Sequence, residues 1–269
     1  MLFRSKYGFP KLGLMGGAYA TLIARIFSLI LLFGLLFTYK EVWRYYKEFN
    51  YRSFSKKYVR KIISIGVPMG LQMFFEVGAF ASSLFIVGLL GTKYMAAHQI
   101  ASNLFSCSYV LCIGFSIATT IIIGKYKALN NYKEMRKSAS AAILMTSLFM
   151  IVSSIIFTLF RNYIPFLYGN DKEVNEIASQ ILSIAIFFQL SDGIQVVVLG
   201  ALRGMGDVKI PMKITFLAYW IVALPLSWFF SIYMKMGIMG IWMGLVSGFI
   251  LASILLSIRY YKKSYAMIT

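Results

Sequence analysis

Three charged side chains interrupt long apolar stretches of this 269-residue chain: Arg25, Glu76 and Asp192. An ionised group at the centre of a membrane helix costs about 2.5–3.5 kcal/mol on insertion scales, so it is retained where a cavity or a partner compensates it. Gln72 stands one turn before Glu76, and Gln189 and Gln195 flank Asp192 at three-residue spacing, giving each acid a polar stripe on its own helix. Carboxylates among amide oxygens, with Phe74, Phe75, Phe187 and Phe188 close in sequence, suit a hard cation, a proton or an organic cation that stacks on aromatic faces. The competing reading is a pair of acids that only hydrogen-bond between helices. Arg25 could equally snorkel or bond a carbonyl.

No constellation for covalent chemistry accompanies them. His98 is the only histidine, and there is no HExxH, no Walker loop and no GxSxG, so the chain is not read as an enzyme. The glycines of Gly200-Ala201-Leu202-Arg203-Gly204-Met205-Gly206-Asp207 join two apolar runs and do not open a dinucleotide fold. His98 reads as a helix-packing or interfacial group rather than a proton relay. Cys107 and Cys112 are five residues apart, about 140° around a helix, which fits neither a disulfide nor a metal pair.

The elements that must position the acids are membrane helices. Apolar residues make up 59% of the chain, charged residues 13%, and the mean hydropathy is +0.75, far from soluble composition. Seven apolar runs each approach or exceed the roughly 20 residues a bilayer requires: 13–39, 62–90, 94–124, 141–160, 174–201, 211–233 and 237–258. Turn or cap signals mark their edges at Gly91-Thr92, Asn130-Asn131, Gly169-Asn170-Asp171 and Pro211. The fold class is therefore all-α, a polytopic membrane protein of about seven transmembrane helices. Glu76 then lies about 21 Å from the start of the second run, and Asp192 about 15 Å from the end of the fifth, so the two could share a mid-membrane chamber. Gly66, Pro68 and Gly70 in the second run and Pro225 in the sixth invite kinks.

The net charge of +18 does not indicate nucleic acid, because the basic residues fall in short connections rather than on one amphipathic face. Of the 27 Lys and Arg residues, nineteen lie in the connections after the first, third and fifth runs and in the C-terminal tail. Basic loops are retained in the cytoplasm, which predicts an outside N-terminus and a cytoplasmic C-terminus in the cell membrane. The first of these connections interleaves Trp43, Tyr45, Tyr46, Phe49, Tyr51 and Phe54 with basic residues, as in a segment lying among lipid headgroups. A plain solvated basic loop is the alternative there.

An internal repeat subdivides the chain. Lys11-Leu12-Gly13-Leu14-Met15-Gly16 aligns with Lys235-Met236-Gly237-Ile238-Met239-Gly240, and eight of the 22 positions from Lys11 to Leu32 are identical at this offset. If the first and last runs are equivalent members of two repeats, the second to seventh form one complete six-helix unit and the first closes a preceding one. The expected organisation is residues 1–39 as the last helix of an N-lobe, 40–61 as a basic cytoplasmic linker and 62–269 as a six-helix C-lobe.

The sequence resembles the C-terminal part of a multidrug and toxic compound extrusion (MATE) transporter. The residues that carry the resemblance are Gly66-Val67-Pro68 with Glu76, Ala96-Ala97-His98-Gln99-Ile100, Asp192, and Leu202-Arg203-Gly204-Met205-Gly206-Asp207 before Pro211. It implies twelve helices in two six-helix lobes, the first five of which are not among these 269 residues. It also implies that Glu76 and Asp192 bind Na⁺ or H⁺ as the coupling ion, with no other cofactor, and that Gln72, Gln189 and Gln195 support them. Phe75, Phe188 and Asn103 are candidates for the substrate chamber. Some Na⁺-coupled members carry a tyrosine one turn before the second acid, where this sequence has Phe188. The expected function is that of a cation-coupled antiporter fragment exporting cationic drugs, with the bilayer, small organic cations and a separate N-lobe polypeptide as partners. Two alternatives remain open: a vestigial membrane protein without transport, and a lipid-linked oligosaccharide flippase, for whose basic chamber Arg25 is the one supporting residue.

Overall fold

The computed structural model describes residues 13–38, 44 and 55–267. The chain divides into two units, Met1–Val59 and Arg60–Thr269, taken here in turn. The aromatic and basic connection at residues 40–54 lies outside the described residues, apart from Arg44. In the first unit, α1 (Gly13–Thr38) is one continuous helix of 26 residues, about 39 Å long and sufficient to cross a bilayer. Its apolar side chains, from Leu22 to Phe37, point outward along its length, and Arg25 is exposed among them.

Among the described residues, seven α-helical segments follow, the first of them beginning four residues before the second unit: α2 (Lys56–Gly88), α3 (Thr92–Ala128), α4 (Tyr132–Leu159), α5 (Lys172–Leu182), α6 (Ala185–Gly204), α7 (Lys209–Tyr233) and α8 (Gly237–Tyr265). With α1, seven helices among the described residues are long and apolar enough to span a membrane. The protein is thus an all-α polytopic membrane protein. Several helices run past the apolar edges read from sequence. α4 begins nine residues before residue 141, and α2 takes in Lys56–Lys61 of the expected linker, because Lys and Arg propagate a helix well and carry their charge outward on long stems.

Local chemistry sets the turns. The Asn131 side chain caps α4 by accepting from the Glu134 amide, and Asp171 caps α5 by accepting from the Glu173 and Val174 amides. Gly91 at φ +118° makes the turn from α2 into α3, a backbone region that side chains with a Cβ rarely adopt.

The structure corrects one expected element. The run 174–201 is not one helix but two, α5 and α6, broken at Ser183 and Ile184. There the amides of both residues turn back to carbonyls three positions earlier, and the Ser183 hydroxyl donates to the Gln180 carbonyl at 2.6 Å. A hydroxyl that binds local backbone in this way competes with the helical pattern. The expected kinks also resolve unequally. α2 continues through Pro68, whereas Pro225 in α7 lies between two π-helical stretches, Leu217–Ala223 and Phe229–Tyr233.

α6 is the most buried span, packed by α3, α4 and α8. Membrane helices gain little from hiding apolar surface from lipid, so close packing and interhelical hydrogen bonds hold them together. A Cβ placed on Gly200 would lie 2.4 Å from the Ser116 carbonyl oxygen, so only glycine permits this approach of α6 to α3. Across the seam the Ser116 hydroxyl donates to the Val196 carbonyl at 2.7 Å, and the Thr120 hydroxyl to the Gly200 carbonyl at 2.9 Å. Near one end of α6, Phe105, Phe188, Trp242 and Phe249 bring three helices together, with ring centroids 4.8–5.5 Å apart.

Candidate functional site

Glu76 and Asp192 line one cavity of about 370 Å³. Its wall comes from α2 (Glu76, Phe80), α3 (His98, Ser102, Phe105, Tyr109), α6 (Phe188, Asp192) and α8 (Phe249). The placement follows from helical phase: Glu76 and Phe80 are one turn apart on α2, as are Phe188 and Asp192 on α6.

The two acids are held differently. Glu76 is half-buried, and its Oε1 accepts from the Tyr109 hydroxyl at 3.3 Å. Asp192 is only 4% exposed, and its Oδ1 has no hydrogen-bond partner. A buried carboxylate oxygen left without a donor costs a desolvation penalty of about 1–3 kcal/mol or more, which a water, a proton or a cation in the cavity would relieve.

The amides expected to support the acids are all buried, in three distinct settings. Gln72 Oε1 accepts from Arg203 Nη2 at 3.3 Å, tying α2 to the end of α6 one turn from Glu76. Gln195 Oε1 accepts from the Tyr219 hydroxyl at 2.7 Å, tying α6 to α7. Gln189 is 1% exposed with neither amide atom partnered. Of the three chamber candidates, Phe188 lines the cavity. Phe75 turns to α7, where its ring lies 4.9 Å from Phe216 and its carbonyl accepts from Trp220 Nε1 at 3.0 Å. Asn103 is exposed and not part of the cavity wall, since it sits about 100° around α3 from Ser102.

Three residues of this region are not assigned to the site by the sequence. Tyr109 is one of 18 tyrosines, and nothing local distinguishes it. His98, a packing group by its sequence, does lie against Trp242, with ring centroids 5.2 Å apart and the planes tilted by 48°, yet it also lines the cavity. Arg203 was assigned to a basic loop, whereas it is the last-turn cation of α6 and reaches Gln72. The spacing of His98, Ser102 and Tyr109 was the available signal, since these positions share one helix face.

No group of three or more His, Cys, Asp or Glu residues suited to a metal ion occurs among the described residues. A Na⁺ ion here would draw on the two carboxylates and neutral oxygens such as the Tyr109 hydroxyl, a donor set appropriate to a hard cation.

An all-α membrane bundle with two acids on one cavity defines a class of protein, and comparison narrows it. The family described as MatE matches residues 68–229. A probable multidrug resistance protein NorM of Acinetobacter baylyi is 33% identical over 258 residues, covering 96% of this chain and 58% of that protein. One of Listeria innocua is 34% identical over 263 residues, covering 95% and 56%. The chain thus spans a little over half the length of the curated relatives it matches. Among solved structures, the eukaryotic MATE transporter AtDTX14 superposes with a TM-score of 0.78 at 18% identity, over 98% of this chain and 60% of that one. A MATE protein in the straight conformation gives 0.76 at 20% identity, over 99% and 59%. The chain belongs to the MATE family.

Proposed function

We propose that this chain forms the ion-coupling lobe of a multidrug antiporter in the cell membrane, with Glu76 and Asp192 exchanging Na⁺ or H⁺ against a cationic drug. The observation that carries the reading is that the two acids, on different helices and 116 positions apart, open onto a single cavity beside aromatic side chains. Two carboxylates in one low-dielectric space cannot both ionise without compensation, so the site has to hold a proton or a cation. Entry of the coupling ion neutralises the pair, weakens its hold on an organic cation, and drives the release of that cation. The chemistry is vectorial binding and release with no covalent step, in keeping with transport rather than catalysis. The kinship to proteins named for multidrug resistance supports the substrate class.

A complete chamber calls for a second lobe, so the test supplies one. The chain is co-expressed with a matching N-lobe in a drug-sensitive host, and ethidium efflux is measured for wild type, Glu76→Gln and Asp192→Asn at equal protein levels. Loss of efflux in both variants is expected. Wild-type efflux from both would reduce the acids to structural hydrogen-bonding groups and end the coupling reading.

A further inference from the structure

The cavity has a second end, and a histidine stands there. Three polar atoms of the unit have no protein partner and belong to residues lining this one space: His98 Nδ1, Ser102 Oγ and Asp192 Oδ1. His98 is 3% exposed and Asp192 4%, so bulk solvent does not satisfy them. An unmade hydrogen bond in the interior costs about 1–3 kcal/mol, so three unpartnered polar atoms on residues lining one space mark where ordered water would be held, within a wall that is otherwise mostly aromatic and aliphatic.

The geometry of α3 orders these groups. Positions 98, 102 and 109 fall within about 40° of one another around the helix and span about 16 Å along it. The imidazole, the Ser102 hydroxyl and the Tyr109 phenol therefore form a column on the cavity side, and the phenol end hydrogen-bonds Glu76. At the other end, Trp242 packs against the imidazole and fixes its tilt. The titratable groups facing this space are Glu76 from α2, Tyr109 from α3 and Asp192 from α6, while α8 presents Trp242 and Phe249, which do not titrate. On the α5 side, Glu173 pairs with Lys93, five residues before His98, and Glu176 is exposed. An imidazole is the one side chain that titrates near neutrality in its ordinary state.

We propose that His98 is a proton-exchanging station at the end of a water-filled column that runs along α3 to Glu76 and Asp192. In this role a proton leaves the imidazolium N–H for the water column as one arrives at a carboxylate oxygen, and the neutral ring takes up the next. The proposal rests on the coupling role of the two acids.

Because His98 is the only histidine, its resonances assign themselves when the full chain is produced with isotope-labelled histidine in lipid nanodiscs. Two quantities are read: magnetisation transfer from water to the ring, and the ring's titration midpoint in wild type, Asp192→Asn and Glu76→Gln. Transfer from water in the wild-type chain is expected, together with a midpoint displaced to lower pH by roughly half a unit or more in at least one variant, because removing a facing negative charge disfavours the imidazolium. A ring without water exchange, or one that stays neutral wherever the chain is folded, overturns the proposal, as does a midpoint unmoved in both variants. The water measurement needs no variant, so a misfolded mutant cannot shield the idea. Failure of the coupling reading is distinguishable, since efflux would persist without the acids while the His98 midpoint still followed them. Lost efflux with an unresponsive ring would instead remove His98 and leave the acids in place.

Discussion

Asp207 shows how one buried carboxylate ties together the ends of helices. Its Oδ2 accepts from Arg259 at 2.8 Å through Nε and 2.7 Å through Nη2, and from Lys263 at 3.2 Å, so the α6–α7 turn is fastened to the last turns of α8. On the other side of that turn, Lys127 Nζ donates to the Met205 carbonyl at 2.6 Å, fixing it to α3. Burial by itself would raise the Asp207 carboxyl, but the hydrogen bonds and charges of Arg259 and Lys263 together outweigh it and hold the group below its ordinary 3.8. A carboxyl whose pKa is lowered by folding adds stability that is present above the unfolded value and is lost as pH falls through the folded one. Asp207→Asn should therefore lower the thermal midpoint in detergent at neutral pH, by the equivalent of about 1–2 kcal/mol for charge-assisted bonds partly open to solvent. The gap to wild type should close as pH falls below 3.8. A gap that is constant with pH would mean that the ion pairs contribute nothing and that Asp207 acts through shape alone.

At the scale of elements, α6 carries the acid and is also the most buried span, and the two properties are connected. The break at Ser183 and Ile184 frees α6 from the direction of α5, so its rotation is set by α3 and α4. Gly200 settles the α3 contact, where the Ser116 carbonyl leaves no room for a Cβ. Asp192 and Gly200 are eight residues apart, about 80° around the helix, so fixing one face fixes the aim of the other. Gly200→Leu should force α6 away from α3 and destabilise the lobe by at least the 1–3 kcal/mol typical of overpacking. The check is a lowered midpoint of thermal unfolding accompanied by loss of the Ser116 and Thr120 contacts across the seam. An unchanged midpoint would show that the helices can separate without penalty. Gly114, with nothing within 4 Å of a built Cβ, is the matching control, and Gly114→Ala should be neutral or slightly stabilising.

Across the whole chain the distribution of charge predicts orientation. The basic residues of α4's first turns, Lys133, Arg136 and Lys137, lie on the same side as Lys125 and Lys127 at the end of α3 and as Lys262 and Lys263 near the end of α8, given alternating spans. The rule that basic loops stay inside predicts that this side is cytoplasmic. The test replaces both native cysteines and then places a single cysteine at Asn170 or at Lys262, each of them exposed. An impermeant maleimide applied from outside should label position 170, and should reach position 262 only after the membrane is opened. The opposite pattern would invert the topology.

What composition and periodicity determined on their own was substantial, and the reason is energetic. A bilayer requires long apolar runs with internally satisfied backbones, so the spans, the all-α class and the conspicuous acids at positions 76 and 192 are written in the order of residues. Caps such as Asn131 and Asp171 were equally legible, because a cap is made within a few residues of chain. The tertiary structure decided the rest. Periodicity fixes the angle between two residues on one helix and says nothing of how that helix is turned against its neighbours. Hence Tyr109, His98 and Arg203 joined the site only through contacts 33 to 144 positions away, with Glu76, Trp242 and Gln72. Asn103 turned away from the cavity, and Phe75 turned to α7, by the same rotation that brought Ser102 and Glu76 to face it. That rotation is set by approaches such as Gly200 against Ser116, between residues 84 positions apart, where the space available to a single atom on one helix is decided by the backbone of another.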